Sequence, residues 1–261
     1  AARDDDVHDG AGLAMPLTAL LPGGAVFDAT ACTDADWAGV HKAKPRAVLA
    51  CRGCGHPVHA KSSKLGFRFF AHDAVQADCP TNGETPEHRE LKALLAAAIR
   101  DAGGTAVVEA YPDASDVGGW RADVLGVGPG GHRVAFEVQL AAMTVETGQE
   151  RSAKYDADGI QVVWVSPRSP HWLYALPGMS VRVVDGVLTL MEGVAVWRQP
   201  SWSVWREQAA QPVVKAWLED RMRVAAPVRL SEERERGWLW NDDAVVWTNA
   251  DMANAWEKYT T

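Results

Sequence analysis

The sequence predicts an α/β chain: a mixed sheet flanked by helices, preceded by a small β module and followed by a tryptophan-rich extension. Three observations predict it. Residues 121–140 alternate in polarity on both sides of Pro129-Gly130-Gly131, the pattern of a β-hairpin. Residues 160–165, IQVVWV, are apolar but for Gln161, as expected of a strand covered on both faces. Segments of helical pattern stand before and between them, so the order is helix, three strands, helix, strand.

The elements follow in chain order. Residues 1–12 carry no pattern and are expected to be disordered. Leu17 to Phe27 reads as a small hairpin around LPGG, and Thr33 to Val40 as a short helix. Ala47 to Ala50 is a short strand running into CRGCG. Thr85 can cap a helix with Pro86 in its first turn and Gly103-Gly104 at its end. Leu91, Leu94, Leu95 and Ala98 mark its buried stripe, and Glu87 falls within that stripe, flanked by His88 and Lys92. An acid facing a core is costly unless paired or functional; the alternative is that Glu87 only favours the helix dipole. Residues 105–110 form a strand carrying Glu109, and residues 144–158 a helix placing Arg151 and Tyr155 on one face. VRVVDGVLTL is a hairpin turning at Asp185-Gly186. Ten of the twelve tryptophans lie from Trp164 onward, which points to core or inter-segment packing, with base stacking as the alternative. Trp202, Trp205 and Trp217 are read on a helical stretch broken near Pro212; Trp238, Trp240, Trp247 and Trp256 populate the tail. The organisation expected is a tail and small β segment at 1–45, a basic cysteine module at 46–83, an α/β core at 84–170 and a C-terminal region at 171–261.

With 47% apolar residues, 261 residues can bury a sizeable core, and no apolar run reaches membrane-spanning length. AARDDDVHDG lacks the basic and apolar regions of a secretory leader, so a cytoplasmic, bacterial protein with no membrane partner is expected. A net charge of −8 argues against indiscriminate nucleic-acid binding. The charge is nevertheless uneven: Trp37 to His72 holds seven Lys/Arg and no acid. Lys61, Lys64 and Arg68 in this island are candidate phosphate contacts, and a merely solvated face is the alternative. Cys51, Cys54, His72 and Cys79 lie inside and just beyond the island, spaced Cys-x2-Cys-x17-His-x6-Cys. Three sulfurs and a nitrogen suit tetrahedral structural Zn²⁺, with His56 and His59 as rival ligands. A redox CxxC normally opens a helix, whereas CRGCGHP lies between a short strand and a Gly/Pro turn. Cys32 stands apart as an ordinary thiol.

Asp123 and Glu137 are equidistant from Gly130, so symmetric pairing sets them opposite one another, with Gln139 on the face of Glu137. Opposed like charges destabilise a sheet, and a divalent cation removes that penalty. Such a group can hold Mg²⁺ or Mn²⁺ and aim a water at a phosphate; the alternative is two solvated acids on an open sheet face.

The knuckle CRGC…FFAH…C, the helix ETPEHRELK and the strands RADV and FEVQ together resemble the CoiA-like competence family over residues 25–170. That resemblance implies a nuclease domain of the PD-(D/E)XK class. It implies Asp123 and Glu137 as metal ligands, Gln139 where the class name has Lys, and functional roles for His88 and Lys92, with Glu87 beside them, and for Arg151 and Tyr155. It also implies Cys51, Cys54, His72 and Cys79 as the zinc set. Two departures stand out: Ala122 replaces the proline of the class name, and Leu140-Ala141 follow Gln139 where a small hydroxyl residue is expected. The expected function is a metal-dependent DNA nuclease acting in transformation, recombination or defence. Asp123, Glu137, Gln139, Glu87, His88 and Lys92 would be catalytic, and Arg151 would join the phosphate contacts. The expected partners are DNA and recombination or defence proteins. The alternatives are a non-catalytic DNA-binding adaptor and a zinc-stabilised interaction scaffold.

Overall fold

In a computed structural model of the chain, residues 14–64, 66–112, 119–198, 201–224 and 245–247 are described. The disorder expected at 1–12, and Trp238, Trp240 and Trp256, lie outside them. The chain divides into two compact units, residues 1–93 and 94–261.

The first unit is built on a five-stranded antiparallel sheet. β1 (Thr18–Leu20) and β2 (Val26–Asp28) form the hairpin around LPGG, pairing Leu20 with Val26. α1 (Asp34–Val40) begins at Thr33, which shares a reciprocal capping box with Asp36. β3 (Leu49–Cys51), β4 (Pro57–Ser62) and β5 (Arg68–His72) complete the order β2-β1-β3-β4-β5. Phe27, Trp37 and Phe70 meet in its core beside Leu49 and Val58. Because β1 pairs with β3, the segments expected to divide at residue 45 share one sheet.

α2 (Pro86–Asp101) starts and stops as its sequence predicts: the Thr85 hydroxyl accepts the His88 N–H, and Gly103 takes a φ of +83° that suits glycine. Its phase differs from the expectation. Lys92, Leu95 and Ile99 are fully buried, Leu94 is half-buried and Glu87 is exposed. The stripe is centred about a quarter-turn from the leucine-based reading, because Lys92 is itself a core residue. Its ammonium lies 2.6 Å from the Glu84 carboxylate.

The second unit contains a seven-stranded sheet, β14-β11-β10-β9-β8-β7-β6. Its strands are β6 (Thr105–Ala110), β7 (Ala122–Val127), β8 (Arg133–Val138), β9 (Gln161–Ser166), β10 (Gly178–Val184), β11 (Val187–Glu192) and β14 (Gln208–Ala209). β8, β9 and β10 run parallel and the other pairings are antiparallel. α3 (Val145–Asp156), capped by Thr144, is the crossover between β8 and β9. It is tied to β9 by the Trp164 indole N–H donating to Ser152, 3.2 Å. Leu125, Ala135, Val162, Trp164 and Trp172 fill the core below Tyr155. Asp185 and Gly186, both at positive φ, close β10 onto β11 as a tight hairpin. That hairpin extends the sheet through the parallel β9–β10 pair, so the sheet does not stop at the boundary expected near residue 170.

β12 (Val194–Arg198), β13 (Ser201–Val204), β15 (Met222–Val224) and β16 (Val245–Trp247) form a four-stranded sheet. α4 (Gln211–Leu218) has Pro212 in its first turn, so proline opens this helix instead of breaking it. Trp202 lies on β13 and Trp205 after it; of the three tryptophans read as helical, Trp217 alone is on α4. Among the described residues no helix is long and apolar enough to cross a membrane.

Candidate active site and metal centre

The β7–β8 ladder pairs Val127 with Arg133 and Val124 with Phe136. One step further along the same register sets Asp123 against Glu137, as symmetry about Gly130 predicts. The two side chains cross between the strands. Asp123 Oδ2 accepts the Val138 N–H at 2.9 Å, and Glu137 Oε1 accepts the Asp123 N–H at 3.3 Å. Neither is a solvated surface acid: Asp123 is 6% and Glu137 2% exposed.

α3 supplies what a buried acid requires. Arg151 and Tyr155, one turn apart, both reach Glu137: Arg151 Nη2 is 2.6 Å from Oε2 and the Tyr155 hydroxyl 2.6 Å from Oε1. The same hydroxyl is 2.8 Å from the Arg121 carbonyl, and the Arg121 guanidinium is 3.9 Å from Asp123 Oδ1. The Arg151 guanidinium also donates to Gln139 Oε1 at 3.0 Å and lies over Trp164, 4.5 Å from the ring centroid. Gln139 thus joins the carboxylates through Arg151, and its own amide N–H₂ donates to the Ala141 carbonyl at 3.0 Å. Burial, then the Asp123 charge, push Glu137 up to about 7 against the opposing pull of Arg151, Tyr155 and the Asp123 amide. Burial and the Glu137 charge likewise hold the Tyr155 phenol well above its usual range, so it stays a donor.

A divalent cation fits this donor set. Two buried, facing carboxylates are short of positive charge: Glu137 is partly protonated near neutral pH even with Arg151 against it. Arg151 is the counter-charge of Glu137, and 40% of its side chain stays exposed.

Glu109 is the residue that sequence reasoning noticed and left without a role. β6 pairs Val108 with Val124 and Ala110 with Ala122, so the Glu109 backbone stands opposite Asp123 in the row that continues to Glu137. It is 2% exposed and adopts φ +51°, a left-handed conformation that costs a non-glycine residue about 1–3 kcal/mol and concentrates at functional sites. No sequence signal reveals it, because the β6–β7 connection is too long for its register to be counted.

The helix residues assigned to catalysis belong to the first unit. Glu87 is exposed in the first turn of α2 and His88 is half-buried. Lys92 is completely buried on Glu84 and so presents no surface to a phosphate.

The cysteine cluster assembles as its spacing predicts. One donor atom each from Cys51, Cys54, His72 and Cys79 lies within 4.8 Å of all the others. Cys51 and Cys79 Sγ are 3.7 Å apart, and Cys54 Sγ is 3.2 Å from His72 Nε2. His72 Nδ1 is 2.7 Å from the Ala14 carbonyl, which fixes the ring and leaves Nε2 facing the sulfurs. Without a cation, burial pushes the Cys51 thiol up to about 12 although the Cys54 and Gly53 N–H groups donate to it. The set is compatible with structural Zn²⁺. The rivals drop out: His56 is exposed, and His59 Nδ1 is 2.8 Å from Asp73. Cys32 is half-buried, with Sγ 3.6 Å from the Ala29 carbonyl.

The basic island is partly neutralised by acids just outside it. Arg46 is 2.5 Å from Asp73, and Arg68 pairs with Asp34 while its guanidinium donates to the Cys32 carbonyl and lies over Trp37. Arg68 therefore braces the start of α1; Lys61 and Lys64 are exposed.

Residues 84–171 match the family described as the nuclease-like domain of competence protein CoiA. Neither a curated protein nor a solved structure matches the chain. The matched span covers α2, the β6–β7–β8 strands with the carboxylate row, α3 and β9. Residues 84–171 of the chain are thus similar to the nuclease-like domain of competence protein CoiA.

Proposed function

We propose that this protein is a metal-dependent deoxyribonuclease, with Asp123 and Glu137 holding Mg²⁺ or Mn²⁺. The observation that carries the proposal is the buried, facing carboxylate pair braced from one helix by Arg151 and Tyr155. Bound there, the cation supplies charge neutralisation at the scissile phosphate and makes a water more acidic. The chain's own groups do the positioning. Tyr155 keeps Glu137 Oε1 in place, and the Val138 amide keeps Asp123 Oδ2 in place. Arg151, now held on Glu137, would be available to contact the substrate phosphate were the carboxylate charge met by a bound Mg²⁺ or Mn²⁺. Gln139 is held by Arg151 and, being neutral, orients a water or a phosphate oxygen without stabilising charge. Glu87 and His88 stay as auxiliary acid–base or phosphate-contacting groups; the burial of Lys92 leaves it a supporting role. Lys61 and Lys64 carry the DNA-contacting role of the zinc module. Transformation, recombination or defence against foreign DNA is the setting in which such an activity serves.

A non-catalytic DNA-binding adaptor is the second reading. It is favoured by the neutral Gln139 at the position where the class has Lys, with its amide already bonded to Arg151 and to the Ala141 carbonyl. Incubation of the purified protein with plasmid, linear duplex and single strands in Mg²⁺ and in Mn²⁺ separates the two. The nuclease reading expects cleavage that Asp123→Asn abolishes without unfolding the protein. Cleavage retained by Asp123→Asn overturns the site assignment. Binding without cutting under every condition leaves the adaptor.

A further inference from the structure

We infer that a cluster of three arginines at the ends of β9 and β10 binds the sugar–phosphate backbone of a nucleic-acid strand leading away from the carboxylate pair. The inference rests on the nuclease-like reading of that pair and adds where the strand runs. Arg168, Arg182 and Arg206 come from three separate stretches of sequence and line one cavity of about 240 Å³ together with Ser169, Glu192 and Glu207. All three are isolated charges outside the basic island, and no sequence pattern joins them.

The topology explains why they meet. β9 and β10 are parallel neighbours with Ser166 opposite Ser180. Arg168 and Arg182 each lie two residues beyond that pair, so both lie toward the C-terminal end of the two parallel strands. Arg206 is brought alongside by the Glu207 N–H donating to the Leu190 carbonyl at 2.7 Å, next to β11. The cluster is coupled to the candidate site by backbone: Arg168 Nη1 donates to the Leu140 carbonyl at 3.3 Å, and Leu140 directly follows Gln139. Glu137 pairs with Trp164 on β9, four residues before Arg168, a span of roughly 13 Å at the rise of a strand.

The chemistry favours a phosphodiester. Arg182 and Arg206 are exposed and enter no ion pair among the described residues. Glu192 accepts the Ser169 hydroxyl, which engages one of the two acids on the wall. Three guanidinium forks against two carboxylates leave a net positive mouth on a chain of net charge −8. A planar fork pairs two-pronged with phosphate oxygens and is always charged, so the site holds a backbone without reading its bases.

The test is binding of a labelled oligonucleotide, as single strand and as duplex, by the full chain carrying Asp123→Asn so that nothing is cut. Arg182→Ala/Arg206→Ala is compared with Arg182→Lys/Arg206→Lys across a salt series, and Mn²⁺-dependent cleavage by the same pairs of variants with Asp123 intact is followed in parallel. The alanine pair should weaken binding roughly tenfold or more, and lower the slope of log K against log salt by about 0.7–0.9 per lost contact. The lysine pair should restore the slope, which keeps the charge effect apart from any misfolding. In cleavage, the alanine pair should raise KM more than it lowers kcat. Unchanged affinity and slope in the alanine pair overturn the inference, and continued cutting then leaves the nuclease reading standing. The expected binding changes in a protein that cuts nothing sustain the inference and remove the nuclease reading. A chain with no affinity for either oligonucleotide removes both.

Discussion

Replacing Glu137 by Gln removes the buried charge while keeping the shape and most of the hydrogen bonds. The folded protein holds the Glu137 proton up to about pH 7, against an ordinary carboxylate value of 4.5. A group whose value is raised on folding contributes stability that is fully present below the ordinary value and is lost as pH rises through the folded one. At 1.36 kcal/mol per pH unit, the wild type without Mg²⁺ or Mn²⁺ should lose about 3 kcal/mol between these limits that the Gln variant does not lose. For a unit of this size one kcal/mol moves the thermal midpoint by about 2–4 °C, so the variant should gain roughly 6–12 °C on the wild type from acid to neutral pH. Fixed costs of the substitution, including the lost counter-charge of Arg151, are the same at every pH and cancel. So do the protonations of the Cys51, Cys54, His72 and Cys79 cluster, which both proteins share. The assay is a thermal melt of both proteins across pH from 4.5 to above 7 in buffer free of Mg²⁺ and Mn²⁺. Adding either cation at neutral pH should then raise the wild type and leave the variant nearly unmoved, because only the former offers two carboxylates. Parallel pH profiles for the two proteins would refute the reasoning, for they would mean that Glu137 is ionised at no cost.

Three further outcomes follow from the same geometry. One Zn²⁺ per chain should copurify, and Cys54→Ser should yield aggregated or proteolysed protein because structural zinc contributes directly to folding; well-folded protein without zinc on metal analysis contradicts this. Arg68→Ala should lower the thermal midpoint without altering the salt dependence of DNA binding, because Arg68 is tied to Asp34 and Trp37, whereas Lys61→Ala should do the reverse. Gly128→Ala should destabilise by about 1–3 kcal/mol, because a Cβ there falls 1.9 Å from the Leu218 carbonyl oxygen, while Gly130→Ala, with nothing within 4 Å, should be tolerated in the same denaturation series.

Legibility of the site divides by the range of the interaction. Asp123 opposite Glu137 follows from counting across a short turn, and Arg151 with Tyr155 follows from helical period; both are local arithmetic. The zinc set follows from ligand chemistry plus spacing. A stripe counted from Leu91, Leu94, Leu95 and Ala98 takes in Glu87 and leaves Lys92 on its flank, whereas the buried face is centred nearer Lys92. A lysine enters a core when a carboxylate waits there, and Glu84 lies before the helix, where no periodicity connects the two. Arg68 looked like a DNA contact because its local neighbours are basic; Asp34, which neutralises it, is 34 residues away.

The sequence by itself determined the order of elements from α2 to β9, the turns at Gly130 and Asp185-Gly186, the start and stop of α2 and the membership of the Cys51, Cys54, His72, Cys79 cluster. Each of these depends on backbone preferences, side-chain period or donor chemistry within a few residues or one motif. The tertiary structure alone decided that β10 and β11 extend the sheet, that Glu109 stands in the carboxylate row, and that Arg168, Arg182 and Arg206 converge. These depend on which strand pairs with which and in what register. That choice is made by burial of whole faces against one another, a free energy summed over the fold and carried by no single stretch of the chain.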